Sequence, residues 1–315
     1  MTSNLKYAMQ EAFGVSEAQL LRLIARAPHA YKIYTIPKKS GGVRTIAQPA
    51  KETKFLQRWL IDNIFKTLPV HKSAVAYKVG ASIKKNASQH KENQYISKFD
   101  FKNFFTSIKE KDLVSHLTLN IGKTYSAEDI KVIARLSCIS DQGRIEPCLS
   151  IGAPSSPILS NSVMFEFDCK IDAWCSKNNV TYTRYADDLT FSTNEKDISY
   201  KIEQEIRNAA REIAYPRLFI NNKKTTYVSK KCQRRVTGVV INNEGEISLG
   251  REKKRSISTL IHRFSLNLLS DEEIFNLQGL LGFAKDIEPI FVFRMRKKYG
   301  SLVIDSIFQI RKPSS

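Results

Sequence analysis

The chain of 315 residues is 42% hydrophobic and 10% aromatic, a composition that excludes a disordered protein and predicts about two or three folded subdomains. Its 50 Lys and Arg residues against 31 Asp and Glu give a formal net charge of +19, which favours a polyanionic partner and, above all, a nucleic acid. No apolar run approaches the ~18 residues of a membrane span and no signal segment opens the chain, so we expect a cytoplasmic protein without a membrane partner.

A basic hairpin is predicted near the start of the chain. Two runs with strand alternation, residues 31–36 and 43–46, flank turn residues that include Pro and Gly-Gly. Lys38, Lys39 and Arg44 would lie around the tip of this hairpin. Such cations suit a grip on phosphates, but a solvated basic loop explains the pattern equally well.

Helical and unclassified segments surround this hairpin. Ser16 begins a capping-box pattern ahead of an apolar run, and residues 54–68 carry apolar side chains at helical spacing, so both segments predict packing helices. Residues 81–94 are polar and show no period that would classify them.

Residues 95–105 are predicted to form a strand that runs into a turn. Strand alternation places Phe99 and Phe101 on one face and Asp100 on the other, so this carboxylate is expected to project from an open face. Further along, residues 150–157 combine two prolines and a glycine ahead of an apolar run. This pattern predicts a rigid turn that leads into a helix.

The segment 181–193 contains two alternating runs rich in Thr, Tyr, Leu and Phe around Ala186-Asp187-Asp188, which predicts a β-hairpin with carboxylates at its tip. Neighbouring strand residues point to opposite faces, but a tight turn lets both acids lean toward one point. Their repulsion is tolerable there only if a cation or a proton offsets it. A pair of solvated turn residues explains the same local pattern, so the rest of the chain must decide.

The remaining sequence predicts a helix over residues 198–214, strands over 218–225 and 236–241, and then a compact helical bundle. From Lys223 onward, 18 Lys and Arg stand against 9 Asp and Glu, a difference of +9 in under a third of the chain. We therefore expect basic surfaces on this bundle.

Three separated carboxylates suggest one metal site. Asp100 precedes Asp187 and Asp188 by a separation that is compatible with adjacent strands, and together they would form a hard-oxygen site for Mg²⁺. Two such ions about 4 Å apart can activate a 3′-hydroxyl and stabilise a departing pyrophosphate, as in polymerases. The basic hairpin would supply the nucleotide clamp that this chemistry needs.

Between residues 44 and 241 the chain resembles the reverse transcriptases, and its motifs occur in the family's order. The matching segments are residues 44–49 for the fingers motif, 99–105 for the first catalytic palm motif, 152–157 for the template-primer and nucleotide-binding motif, 185–188 for the catalytic hairpin, and 221–225 for the motif whose lysine faces the triphosphate. Ile151 stands where many relatives have Gln.

The resemblance implies roles for individual residues. Three carboxylates would be catalytic and hold two Mg²⁺ ions: Asp100, Asp187 and Asp188, assisted by the backbone carbonyl of Phe101. Lys224 would be a further catalytic residue that donates a proton to pyrophosphate. The residues that would bind the nucleotide are Lys38, Lys39, Arg44, Phe105 and Gly152. Among them, Phe105 would form the barrier to a 2′-hydroxyl.

Within the family, the chain is most similar to the bacterial retron reverse transcriptases. Residues 86–90, NASQH, match their NAxxH element, and Val236-Thr237-Gly238 match their VTG element. The resemblance implies that these elements bind the cognate RNA or support priming, through Asn86, His90, Val236, Thr237 and Gly238, although a buried strand and a solvated loop explain the two local patterns equally well. The excess of positive charge in the thumb predicts phosphate contacts from its basic residues, Arg251, Lys253, Lys254 and Arg255.

This resemblance implies an RNA-directed DNA polymerase that uses deoxynucleoside triphosphates to copy a structured noncoding RNA from its own locus. Synthesis would start on the 2′-hydroxyl of an internal guanosine and yield a branched RNA–DNA hybrid, msDNA. Such systems defend against phage together with an effector protein, and a host RNase H would remove the template. A group II intron-like or abortive-infection reverse transcriptase, and an RNA-binding scaffold in a defence complex, are the alternatives.

The expected fold class is α+β, a right-hand polymerase fold with fingers, a helical thumb and a palm whose antiparallel sheet carries helices on one face. We expect an N-terminal helical segment over residues 1–30, fingers over 31–98, a palm over 99–239 with 107–150 partly in the fingers, and a basic helical thumb over 240–315.

Overall fold

The computed structural model describes residues 5–38, 41–140 and 146–311 and mixes helices with short strands. The helices in these ranges are α1 Leu5–Phe13, α2 Glu17–Arg26, α3 Lys51–Asn63, α4 Ile83–Ser88, α5 Phe104–Ser107, α6 Glu110–Ile121, α7 Ala127–Ser137, α8 Ser156–Val163, α9 Phe165–Lys177, α10 Ser199–Glu212, α11 Arg251–Ser265, α12 Asp271–Ile287, α13 Pro289–Tyr299 and α14 Ser301–Gln309. The strands are β1 Tyr31–Pro37, β2 Val43–Pro49, β3 Tyr95–Asp100, β4 Thr181–Tyr185, β5 Asp188–Thr193, β6 Thr226–Ser229, β7 Arg234–Val236, β8 Val239–Ile241 and β9 Ile247–Ser248.

These strands form three small sheets in the described part of the chain. β1 and β2 pair antiparallel, from Tyr31 opposite Pro49 to Pro37 opposite Val43, which confirms the predicted N-terminal hairpin. A four-stranded sheet has the order β4-β5-β3-β6, so β3 lies beside the second strand of the carboxylate hairpin. β7, β8 and β9 form an antiparallel three-stranded sheet.

The chain divides into two compact units. The first comprises Met1–Val79, Lys98–Thr190 and Asp197–Thr226, and the second comprises Gly80–Ser97, Phe191–Lys196 and Tyr227–Ser315. Buried side chains of the second unit, such as Val236, Ile257 and Leu277, form one core beneath α11–α14. This confirms the predicted helical bundle, whereas the predicted boundaries of fingers, palm and thumb stay predictions.

Helix starts follow local sequence chemistry. Ser16 caps α2 by accepting a hydrogen bond from the backbone NH of Gln19, whose side chain accepts one from the NH of Ser16. Ser270 and Glu273 form the same reciprocal arrangement at the start of α12. Across the described ranges, no helix combines the length and the apolar character that a bilayer crossing requires.

The prediction of one strand over residues 236–241 is wrong. β7 ends at Val236 and β8 begins at Val239, so Thr237 and Gly238 are the two central residues of a tight hairpin turn. Both have positive φ angles, 44° and 84°, as expected for the primed turns whose twist matches a β-hairpin. The residues on either side of the turn are apolar, so the segment has the pattern of one continuous strand and the turn could not be recognised from it.

The prediction of a strand over residues 218–225 is also wrong. Ile220 makes an isolated bridge to Phe101, a turn of 3₁₀ helix follows at Asn222–Lys224, and β6 begins at Thr226. The backbone NH of Asn221 donates to the carbonyl of Asp100 at 2.7 Å, and the chain bends from that point.

Candidate active site

The β-hairpin predicted around Ala186-Asp187-Asp188 is present. β4 ends at Tyr185 and β5 begins at Asp188, so Ala186 and Asp187 form the tip. Ala186 is buried and has a left-handed φ of 58°, while Asp187 is half-buried and Asp188 reaches solvent. This turn brings two consecutive carboxylates to one end of the hairpin.

Arg184, in the first strand of the hairpin, has a fully buried guanidinium. Its Nε and Nη2 donate to the Asp168 carboxylate at 2.8 and 2.6 Å, and its Nη1 donates to Asn161 Oδ1 at 3.1 Å and to the Ala186 carbonyl at 3.2 Å. Tyr182 donates its hydroxyl to Asp168 Oδ1 at 2.7 Å. This network ties the hairpin tip to α8 and α9. This network was not predicted from the sequence, although strand alternation puts Arg184 on the same face as Tyr182.

Asp100 is the last residue of β3 and lies beside the hairpin tip, where the backbone NH of Phe101 donates to the Asp187 carbonyl at 3.2 Å. Lys224 Nζ donates to Asp100 Oδ2 at 2.7 Å, and Asn221 Nδ2 donates to its Oδ1 at 3.4 Å. The Asp100 side chain is only 6% exposed. The expectation that it projects from an open face is therefore wrong, because the segment that contains Asn221 and Lys224 covers it.

The carboxylates of Asp100, Asp187 and Asp188 lie close enough to repel one another. Desolvation and the charge of Asp100 raise the pKa of Asp187 above its ordinary value. Asp188 keeps part of its surface in solvent, yet desolvation of its carboxyl and the charges of Asp187 and Asp100 raise its pKa to about 6. Burial lowers the pKa of Lys224, but its hydrogen bond to Asp100 and the nearby carboxylates raise it overall. The site therefore favours bound positive charge.

The three aspartates fit a divalent cation by their donor chemistry, because carboxylate oxygens are the ligands that hard cations prefer. Within residues 5–38, 41–140 and 146–311, no three His, Cys, Asp or Glu side chains are already grouped as ligands of one metal ion. In this arrangement the Lys224 ammonium, bonded to Asp100, supplies positive charge to the carboxylates. A divalent cation would relieve the same repulsion.

We expect Mg²⁺ to stabilise the protein more at about pH 7.5 than at about pH 5. Because the pKa of Asp188 is raised to about 6, the folded protein takes up a proton between about pH 4 and 6 that the unfolded chain does not. Ionising this carboxyl therefore lowers stability as the pH rises through about 6, and a cation offsets that cost only above this pH.

Unfolding temperatures with and without Mg²⁺ at the two pH values check this expectation. Asp188→Asn serves as the control and should reduce the difference between the two pH values. An Mg²⁺-dependent shift of equal size at both pH values would contradict the assignment.

Comparison with known proteins assigns the chain to a family. Residues 36–241, more than half of the chain, match the family model for reverse transcriptase (RNA-dependent DNA polymerase). The matched range includes Asp100, Asp187, Asp188 and Lys224. The chain belongs to the reverse transcriptase family. It is therefore an RNA-directed DNA polymerase, which uses a nucleic acid template and deoxynucleoside triphosphates, and its family works with divalent metal ions.

Individual relatives narrow this assignment. The chain is 39% identical to the Retron Ec83 reverse transcriptase of Escherichia coli over 310 residues, which cover 98% of each chain. It is 37% identical to the Retron Ec73 reverse transcriptase of Escherichia coli, over 88% of this chain and 89% of that one. The resemblance to bacterial retron reverse transcriptases is thus confirmed.

A solved structure supports the fold class. A telomerase from Candida albicans, solved with a fragment of telomeric RNA, matches with a TM-score of 0.50 at 14% sequence identity. The match covers 90% of this reverse transcriptase and 58% of the telomerase chain. Together with the mixed helices and sheets, it confirms the predicted right-hand polymerase fold.

Among the predicted nucleotide-binding residues, Arg44 lies within electrostatic reach of the hairpin tip, since its charge lowers the pKa of Asp187. Lys38 is exposed beside the tip of the β1–β2 hairpin, and Lys39 lies outside the described residues. Gly152 has a φ of 118°, and a Cβ there would come within 2.9 Å of the Ala47 carbonyl. The backbone at position 152 comes so close to β2 that only glycine fits there, and this requirement holds with or without a nucleotide contact.

The two neighbouring phenylalanines of α5 differ in how deeply they are buried. Phe104 is 3% exposed and belongs to the core, whereas Phe105 is only partly buried.

We expect Phe105→Val to raise ribonucleotide incorporation, because a smaller side chain would admit a 2′-hydroxyl, with a modest loss for deoxynucleotides. The ratio of kcat/KM for a ribonucleotide and its deoxynucleotide, measured with Phe105→Leu as the milder variant, checks this. An unchanged ratio in a folded variant would return Phe105 to a packing role.

The two retron-like elements meet in the second unit. Asn86 Nδ2 donates to Thr237 Oγ1 at 3.5 Å, and His90 Nδ1 lies 2.8 Å from Ser192 Oγ. Asn86, His90 and Val236 are buried, and burial lowers the pKa of His90 to about 3. Thr237 is half-buried and Gly238 is exposed. This burial favours RNA contact at the Thr237-Gly238 turn and a supporting role for the other three residues.

Thr237→Ala is expected to lower initiation on the cognate RNA roughly tenfold, as for one lost hydrogen bond, while extension of an annealed primer on a generic template is kept. The generic reaction depends on the carboxylates and the nucleotide clamp, which this change leaves intact. Thr259→Ala, at an exposed threonine of α11, is the matched control. Equal losses in both reactions, or none in either, would remove Thr237 from recognition and priming.

The predicted basic thumb residues divide into two pairs. Arg251 and Arg255 are exposed on α11. Lys254 Nζ lies 2.6 Å from Glu288 Oε1, and Lys253 Nζ lies 4.2 Å from the centroid of the Phe283 ring. The two arginines are therefore better placed for phosphate contacts, while the two lysines contribute to packing within the bundle.

Proposed function

We propose that this enzyme reverse-transcribes a cognate structured noncoding RNA into a branched RNA–DNA hybrid, msDNA, at a site formed by Asp100, Asp187 and Asp188. The observation that carries the proposal is the placement of Asp100 beside the hairpin tip, where the Phe101 NH bonds to Asp187. The raised pKa values of Asp187 and Asp188 support it, because they reflect a demand for positive charge.

The three carboxylates, with the Phe101 carbonyl, would hold two Mg²⁺ ions. When bound, Mg²⁺ lowers the pKa of the attacking hydroxyl and neutralises charge on the transferred phosphoryl group. Lys224 remains protonated beside Asp100, since its pKa is raised, and its ammonium donates the proton that the departing pyrophosphate accepts. Arg44, together with Lys38 or Lys39, binds the phosphates of the incoming nucleotide, and Phe105 excludes its 2′-hydroxyl.

DNA synthesis starts on the 2′-hydroxyl of an internal guanosine of the cognate RNA. The retron relatives and the paired NAxxH and VTG elements of the second unit support this part of the proposal. The formal net charge of +19 supports phosphate binding without sequence selectivity, so selectivity falls to shape and exposed-base contacts such as those at the Thr237-Gly238 turn.

The same proposal extends to the cellular setting. The enzyme acts in the cytoplasm as part of an anti-phage retron system, with an effector protein as partner and a host RNase H that removes the copied template. The similarity to two Escherichia coli retron enzymes over most of their length supports this setting.

Expression of the chain with about a kilobase of its native flanking DNA tests the proposal. We expect a small DNA whose gel mobility changes on treatment with RNase and with a debranching enzyme, and no such DNA with Asp187→Asn. A linear product that debranching leaves unchanged would reject 2′-hydroxyl priming, and the same product from Asp187→Asn would reject the proposed site.

A further inference from the structure

An exposed aromatic residue outside the family motifs named above lies next to the catalytic hairpin in the first unit. Tyr77 is 47% exposed, and its ring centroid lies 6.5 Å from that of Tyr185 with an angle of 41° between the ring planes. Burial raises the pKa of its phenol, as does the charge of Asp187, while the charge of Arg44 lowers it. Tyr77 therefore lies within electrostatic reach of both Asp187 and Arg44.

The backbone at Tyr77 is held in an unfavourable conformation. Its φ is 62°, a left-handed value that is rare for a bulky side chain and that glycine adopts freely. Hydrogen bonds to Arg184 and Asn161 fix the two residues that precede it. The Val75 NH donates to the Arg184 carbonyl at 2.9 Å, and Asn161 Nδ2 donates to the Ala76 carbonyl, also at 2.9 Å. Strained residues of this kind cluster at active sites and ligand clamps, so the left-handed conformation of a bulky residue here points to a function of its ring.

We propose that Tyr77 and Tyr185 form an aromatic platform on which the terminal base of the primer stacks, so that the attacking hydroxyl is held at the carboxylates. This inference rests on the proposed role of Asp100, Asp187 and Asp188. The nucleotide that carries the attacking hydroxyl must lie next to these carboxylates, and Tyr77 presents an exposed ring beside the hairpin that carries two of them. Stacking suits an enzyme that copies any template sequence, because every base presents a π-face.

Three variants separate stacking from folding. Tyr77→Gly removes the ring and relieves the left-handed conformation, so its unfolding temperature should equal or exceed that of the wild type. Its Kd for a DNA primer annealed to an RNA template should rise about tenfold. Tyr77→Phe keeps the ring and should bind like the wild type. Tyr200→Ala, at a 63% exposed tyrosine of α10, is the matched control and should also bind like the wild type.

An abasic nucleotide then locates the stacked base. With an abasic 3′-terminal primer nucleotide, Tyr77→Gly should cost no further affinity, whereas with an abasic templating nucleotide the full loss should remain. Additive losses at the primer terminus, coupling at the templating position instead, or unchanged affinity of Tyr77→Gly would each overturn the platform.

Failure of the platform is distinguishable from failure of the active-site assignment. Asp187→Asn with undiminished nucleotide incorporation would reject the carboxylate site, whereas unchanged primer–template affinity of Tyr77→Gly would reject the platform alone.

Discussion

Asp187→Asn is expected to lower nucleotide incorporation by at least about 100-fold while the affinity for RNA is retained. Asparagine keeps the size of the side chain but removes a charge that would offset two divalent cations at the hairpin tip. The Asp187 carbonyl, which accepts a hydrogen bond from the Phe101 NH at 3.2 Å, is unaffected by the change, so the strands should stay in register. Binding should survive because phosphate contacts by Lys and Arg supply most of the affinity.

Single-nucleotide addition to a primer on an RNA template, measured together with the Kd for that duplex, checks this result. Asp62→Asn provides the control, since the Asp62 side chain is 61% exposed and its partner Lys66 lies on the surface in the 3₁₀ turn just after α3. Incorporation by Asp187→Asn at the rate of Asp62→Asn would contradict the assignment of the catalytic hairpin.

Asp168→Asn is expected to lower the free energy of unfolding by about 3–5 kcal/mol. Both side chains of the Arg184–Asp168 pair are 0% exposed, and Nη2 of the arginine lies 2.6 Å from Oδ2 of the aspartate. Removing the negative charge leaves a guanidinium buried without its counter-ion, and Tyr182 loses a charged acceptor for its hydroxyl.

Urea-induced unfolding followed by circular dichroism measures this loss. Asp62→Asn is again the matched control, because an exposed ion pair of its kind contributes at most about 1 kcal/mol. If Asp168→Asn were no less stable than Asp62→Asn, the buried network would not be what holds the hairpin. Because Arg184 Nη1 also donates to the Ala186 carbonyl, activity should fall in Asp168→Asn even at temperatures where the variant is folded.

Local patterns predicted the parts of this site that depend on local chemistry. Alternation around Ala186-Asp187-Asp188 predicted the hairpin, and the separation of Asp100 from it was compatible with adjacent strands, as β3 and β5 are. Both inferences use strand periodicity and spacing, which the sequence carries directly.

Long-range contacts account for what the sequence did not reveal. Asp100 is enclosed because Lys224 and Asn221, more than 120 residues away in the chain, bond to its carboxylate. Arg184 of β4 is buried because Asp168 on α9 and Asn161 on α8 complete its hydrogen bonds. No window of local sequence contains such pairs, and a charged residue in isolation is normally expected at the surface.

The prediction of a single strand over residues 236–241 failed for a different reason. The residues that flank the turn at Thr237 are apolar on both sides, so the segment reads as one strand, and a threonine rarely adopts a positive φ. Gly238 is the one local signal that could have indicated a hairpin there.

Primer extension on an RNA template by the purified chain, with Mg²⁺ as the sole divalent cation, tests most directly whether Asp100, Asp187 and Asp188 form the polymerase site. We predict that the wild type adds deoxynucleotides, that chelation of Mg²⁺ stops the reaction, and that Asp100→Asn adds none at a measurable rate while still binding the duplex. Extension by Asp100→Asn at the wild-type rate, or a wild type that binds the duplex and adds no nucleotide, would contradict that claim.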